Sequence, residues 1–211
     1  MTSLSWIALA LAVVMAVVDW VAVARRSAVL EYLSKPTATV ALLVVALTLD
    51  VAHDASWAWR IAALVLCLFG DVFLMLPRDA FVPGLASFAV AQVLFTISFI
   101  TAGIDMVRLV LAAIVAVPVG VVLARRFVGA IRRRGRPELV APVVVYIGVI
   151  SAMAIAAVAA GPIVAVVGAL LFMVSDAVIA ESRFVKQRPW HGVGIMVTYH
   201  LALAGLVLGL L

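Results

Sequence analysis

The sequence predicts an all-α fold, a polytopic membrane helical bundle with about eight transmembrane helices. Three observations predict it. Hydrophobic residues make up 68% of the 211-residue chain, charged residues make up 12%, and mean hydropathy is +1.33. Apolar stretches of membrane-crossing length follow one another from end to end, and basic residues cluster in alternate gaps between them. A soluble domain of this size needs far more polar cover. Spans of about 20 residues cross the hydrocarbon core as helix, so eight of them consume nearly the whole chain. Residues 1–211 therefore read as a single integral membrane domain.

The expected spans are 4–24, 37–52, 58–77, 83–102, 106–124, 138–160, 162–180 and 192–211. The first has no basic residues before it and no small-residue cleavage pattern after it; Arg25 and Arg26 follow, which reads as a retained span and not a signal peptide. The second is short. Pro36, Pro77, Pro83, Gly103, Pro137, Gly161-Pro162 and Pro189 mark joints, whereas Pro118 and Pro142 lie inside spans where packing absorbs a kink. FGDVFLM in the third span echoes VSDAVIA in the seventh, four spans later and running in the same direction, which suggests a 4+4 helix pseudo-repeat.

Charge orients the bundle. Thirteen of the fifteen Lys and Arg fall in the odd-numbered loops: Arg25, Arg26, Lys35, Arg78, Arg125, Arg126, Arg132, Arg133, Arg134, Arg136, Arg183, Lys186 and Arg188. Only Arg60 and Arg108 fall on the other side. The positive-inside rule makes the odd loops cytoplasmic and puts both the N- and C-termini on the non-cytoplasmic side. The expected location is a plasma membrane, multi-pass, of the bacterial inner-membrane type. The RRFVGAIRRRGR run reads as an anchor on anionic headgroups, with a hold on a phospholipid substrate as the other reading. The net charge of +5 is thus accounted for by topology, and with no basic face or motif nucleic acid is not an expected partner. Cys67 is the sole cysteine, and His53, His191 and His200 lack metal-ligand spacing, so neither a metal nor another cofactor is expected. Oligomeric state is not legible.

Ionisable groups deep in a span cost about 2.5–3.5 kcal/mol each on insertion scales and are functional candidates by default. Asp19, Asp71 and Asp176 each stand five or six residues before a basic-side landmark, roughly 7–9 Å inside at 1.5 Å per residue. Gln92, Tyr146, Tyr199 and His200 reach a similar or slightly deeper level from the opposite direction, and Lys35 stands at the start of the second span. One polar layer suggests a cavity open to the basic side. Each residue also has a plainer reading. Asp19 pairs with snorkelling Arg25 or Arg26, Asp71 and Asp176 make helix-to-helix hydrogen bonds beside Gly70 and Ser175, and Lys35 anchors at the interface, its other reading being a phosphate or aspartate partner. Gln92, Tyr146 and Tyr199 are packing glue, and His200 is a satisfied core histidine.

Taken in order, several stretches resemble the YhhN family of membrane lysoplasmalogenases: YLSKPTAT, LFGDVFLM, PGLASFAVAQ, VYIGVISAM, GALLFMVSDAVIAESRF and TYHLAL. They track the chain from about residue 30 onward. Where the family often has histidine then tyrosine in the fourth span, this chain has Gln92 and Phe95. Where its last span commonly reads Tyr-Tyr-x-Ala-Gln, this one has Tyr199, His200, Ala202 and Leu203. The resemblance implies cleavage of the vinyl ether bond of alkenyl lysophospholipids, giving a fatty aldehyde and glycerophospho-ethanolamine or -choline. The expected partners are a lysophospholipid substrate and membrane lipid. Such chemistry needs an acid to protonate the outer alkene carbon and a carboxylate to stabilise the oxocarbenium ion, as two carboxylates do in glycoside hydrolysis. Asp71 and Asp176 are the expected catalytic pair, and Lys35, Tyr146, Tyr199, Gln92, His200 and Asp19 the expected substrate-binding set. The competing reading is a proton-coupled transporter of small solutes or lipids that uses the same aspartates.

Overall fold

The computed structural model describes residues 1–76 and 80–211. Pro77 and Arg78, expected as a joint and a basic loop residue, lie outside the described residues. The described chain forms eight long helices: α1 (Ser3–Ala24), α2 (Ala28–Thr48), α3 (Ala55–Met75), α4 (Phe81–Ala102), α5 (Met106–Arg133), α6 (Val140–Ala160), α7 (Ile163–Ala180) and α8 (His191–Leu208). With the short turns that prolong α6 and α7, all eight are long and apolar enough to cross a membrane. The protein is an all-helical, multi-pass membrane protein.

Local chemistry sets most of the ends. The Thr2 hydroxyl accepts from the Ser5 N–H and starts α1; Asp54 and Asp105 carboxylates accept from Trp57 and Arg108 N–H to start α3 and α5. The Asp54 carboxyl is held below its usual range by those N–H bonds and by the Ser56 hydroxyl. Gly161, at φ 100°, ends α6 in a left-handed conformation, with the Arg108 guanidinium occupying the space where a side chain would start.

Two boundaries differ from those expected. The second helix begins at Ala28, so Pro36 is not a joint and Lys35 does not sit at the membrane edge. Pro36 removes the helical N–H that would reach Tyr32 O, and the helix runs on through it; on either side Ser34 Oγ donates to Leu30 O at 2.7 Å and Thr37 Oγ1 to Leu33 O at 2.6 Å. The fifth helix runs on to Arg133, so the first nine of the twelve residues in the basic run are a helical stem and not a loop. Bidentate Arg126–Glu181 contacts at 2.7 and 2.9 Å tie that stem to a five-residue π turn, Glu181–Val185, that continues α7.

Sequential helices, α4 and α5 excepted, pack side by side as antiparallel neighbours, seen where Ser5 Oγ near the start of α1 donates to Thr48 O at the end of α2. The packing pattern nearly repeats after a shift of four helices. Pairs α1–α2, α2–α3 and α3–α4 have counterparts α5–α6, α6–α7 and α7–α8, and α4–α6 corresponds to α8–α2. This agrees with the 4+4 echo. The symmetry breaks at α5. Helix α1 packs on α8, but in place of the equivalent α4–α5 seam there is an apolar slot, described below. The most apolar stretch of α5 is almost wholly exposed on the outside of the bundle, as befits a lipid-facing helix.

Backbone approach between α7 and α8 rests on Gly168 and Gly205. A Cβ at Gly168 would stand 2.7 Å from Leu206 N and 2.8 Å from Ala202 O, both main-chain atoms that cannot rotate aside. Gly168→Ala is expected to lower stability by about 1–3 kcal/mol, the usual cost of overpacking. Gly148→Ala, at a position with nothing within 4 Å, leaves it unchanged or slightly improved. Thermal unfolding of the two variants in detergent checks the contrast.

Candidate active site

The polar residues gather near the basic end. Asp71, near the end of α3, is fully buried and meets side chains from two other helices. Lys35 Nζ of α2 lies 3.1 Å from its Oδ1, while Thr39 Oγ1 of α2 and Tyr199 OH of α8 each donate to Oδ2 at 2.8 Å. Lys35 is also buried, because α2 carries it inward from Ala28 instead of leaving it at the interface. The pair is therefore an intramembrane ion pair with hydroxyl support. A buried pair of this sort needs hydrogen bonds beyond the ion pair, and here Thr39 and Tyr199 supply them to Oδ2 while Oδ1 faces the ammonium.

Asp176 sits at the corresponding place in α7. It accepts a hydrogen bond from Tyr146 OH of α6, and no ion pair joins it among the described residues. The buried Gln92 amide of α4 faces the Tyr146 hydroxyl from behind without meeting hydrogen-bond geometry. The two aspartates thus have matched surroundings under the four-helix shift. Asp71 takes partners from α2 and α8, and Asp176 takes its partner from α6, with α4 behind it. They differ in charge: one holds a lysine, the other a tyrosine.

Both carboxylates line one cavity of about 480 Å³, together with Lys35, Tyr199 and Ser175 at depth and Glu31, Arg134, Ser182, Arg183 and Gln187 toward its mouth. Asp176 also lines a second, narrow cavity of about 60 Å³ whose wall is otherwise almost entirely apolar. Phe81, Leu85 and Phe88 of α4, Leu123 and Phe127 of α5, and Ile147 and Ile150 of α6 form that wall. This is the slot at the missing α4–α5 seam. Leu74, Phe81, Phe88, Asp176 and Ile179 belong to both cavities, so the polar chamber and the apolar slot meet at the Asp176 carboxylate.

Of the residues expected from sequence, the structure brings together Lys35, Asp71, Asp176 and Tyr199 on the cavity wall, with Tyr146 on the slot side. It places three elsewhere. Gln92 lies behind Tyr146. His200 faces α1, where Trp20 Nε1 donates to its Nδ1 at 3.1 Å, and it lines a separate apolar recess. Asp19 is fully buried and accepts from Ser34 Oγ at 2.9 Å; Arg25 and Arg26, its expected partners, are exposed. The snorkelling pair does not form because α2 starts early enough to put Ser34 against α1.

Sequence reasoning passed over Thr39 and Glu31. Thr39 lies four residues after Lys35, on the same helical face, and that spacing was a usable signal. Arg134 belongs to the basic run for which a hold on a phospholipid is the second reading, and Arg183 counts there only as a loop charge. Arg134 is oriented by Phe184 O and Val185 O, at 2.9 and 3.2 Å, which the π turn presents to it.

Comparison with known proteins adds to this geometry. The model of the YhhN family matches residues 30–210. Among curated proteins, the human lysoplasmalogenase TMEM86B is 34% identical over 140 residues, 66% of this chain and 58% of the relative, so the match spans less than two thirds of that protein's length. No solved structure matches the chain.

Proposed function

The chain belongs to the YhhN family, and on that premise we propose that it is a membrane-embedded lysoplasmalogenase-like hydrolase that cleaves the vinyl ether bond of alkenyl lysophospholipids. The observation that carries the reading is the position of Asp176 where a polar chamber meets an apolar slot. An alkenyl lysolipid has the same division, a charged headgroup and glycerol on one side and a hydrocarbon chain on the other. The vinyl ether lies at the boundary.

Asp176, with no cation against it, carries a proton to the outer alkene carbon. The π electrons form the new C–H bond, and the ether oxygen supplies electron density to give an oxocarbenium ion. Asp71, fixed by Lys35, Thr39 and Tyr199, is the standing anion of the chamber and stabilises that cation. Water from the chamber adds to the cationic carbon and gives its proton to the Asp176 carboxylate, which regains its starting form. The hemiacetal then collapses: its hydroxyl proton is lost, the glycerol oxygen leaves with a proton, and a fatty aldehyde and glycerophospho-alcohol remain. Tyr146 orients Asp176 through their hydrogen bond.

The basic end of the bundle faces the cytoplasm on this reading, by the distribution of Lys and Arg, and a bacterial inner membrane is its setting. A transporter that uses the same aspartates has less support. At the opposite end the buried Arg60 is tied to Ser98 Oγ and Leu206 O at 3.1 and 3.3 Å and lies over Phe99, so this cation is committed to packing contacts and not to a cavity wall.

Purified protein in lipid nanodiscs, incubated with alkenyl, alkyl and acyl lysolipids of one headgroup, tests the reaction by mass spectrometry. Fatty aldehyde is expected from the alkenyl lipid alone. Release of fatty acid from the acyl lipid, or no aldehyde at all, would overturn the proposal.

A further inference from the structure

Among the described residues, Glu31 is the one carboxylate on the chamber wall other than the two aspartates. It lies in the first turn of α2, four residues before Lys35, so both side chains share a face and Glu31 stands one turn, roughly 6 Å, nearer the mouth. That spacing normally gives a Glu–Lys pair. Here Lys35 turns inward to Asp71 instead, and Glu31 has no ion pair or side-chain hydrogen bond among the described residues. Across the mouth, Arg134 spends its two contacts on neutral carbonyls, which position the guanidinium without cancelling its charge. The mouth therefore presents a half-buried anion and a fixed cation that do not neutralise each other.

We infer that Glu31 is the headgroup-specificity residue of this chamber and selects zwitterionic over purely anionic lysophospholipids. Arg134 takes the phosphate, and the Glu31 carboxylate takes the ammonium of an ethanolamine or choline headgroup. A headgroup with no cationic end leaves Glu31 facing negative charge and is disfavoured. The inference rests on the lipid-hydrolase reading above and deepens it.

The test uses the full-length protein in nanodiscs with four alkenyl lysolipids, bearing ethanolamine, choline, glycerol or bare phosphate headgroups. Binding of the matching uncleavable alkyl-ether lysolipids is measured in parallel. Wild type is expected to favour ethanolamine and choline headgroups in both KM and Kd. Glu31→Gln should raise KM and Kd for these two lipids about tenfold, the scale of one charge-assisted contact, and lower them for the anionic two. Glu31→Lys should invert the preference, and Glu31→Asp should retain it in part. A merely structural role for Glu31 would move all four lipids in the same direction, and that result overturns the inference, as does an unchanged preference. Absence of aldehyde from every lipid would instead defeat the hydrolase reading, while the alkyl-ether binding series still decides the headgroup preference.

Discussion

Asn in place of Asp176 is expected to lower kcat for aldehyde release by about 10²–10⁴-fold, the range that a lost general acid gives, with little change in the amount of folded protein. The side chain is nearly isosteric, and its amide oxygen still accepts the Tyr146 hydroxyl. What it cannot do is give a proton to carbon. No cation loses its partner, because none is paired with Asp176 among the described residues. Asp71→Asn is expected to reduce turnover as well, but for a different reason and with a different signature. It leaves the Lys35 ammonium buried without its anion, so folding yield falls together with activity. Measuring both aldehyde release and the folded fraction by size exclusion for the two variants separates these outcomes. Near-normal turnover in Asp176→Asn would sink the acid assignment.

Lys35→Met should be the most damaging single change to stability near the site. Removing one member of a buried ion pair leaves the other uncompensated, at a cost of about 3–5 kcal/mol. Thr39 and Tyr199 hydroxyls still donate to Asp71 but cannot replace a charge. The double variant Lys35→Met/Asp71→Asn removes both charges and keeps an acceptor for the two hydroxyls, so thermal stability is expected to recover most of the loss. Turnover should not recover, because the standing anion is gone. If stability stays low in the double variant, the ion pair is not what Lys35 contributes. If turnover returns, Asp71 is not the stabilising anion.

Much of this molecule was legible from its residues, for reasons that can be traced. Every span shows in the sequence because a lipid-facing helix has no polar face to blur its apolar run, as in α5, where valine dominates the middle turns. Asp71 and Asp176 stand out because ionisable groups are rare there. The start of α2 was harder. Glu31, Ser34, Lys35 and Pro36 within six residues read as a loop, and only the packed structure shows the helix continuing through them. The same misplacement put Lys35 at the interface, where an aspartate partner is one of its readings, and left Asp19 to be matched with arginines it does not meet. Depth along a helix can be counted, but azimuth is set by neighbours. Tyr199 and His200 are adjacent at one depth, yet one turns to Asp71 and the other to Trp20.

The near-repeat of helix packing has a consequence for how the protein holds together. Helix α8, from the second four-helix unit, supplies the hydroxyl that completes the shell of Asp71 and packs on α1 and α2. Helix α4, from the first, walls the slot beside Asp176 and packs on α6. Each unit lends its last helix to the other, like two hands with one finger exchanged. Neither half encloses its own carboxylate, so the short link at residues 103–105 joins two pieces that are already interlocked through their interiors, and the site exists only where both are present.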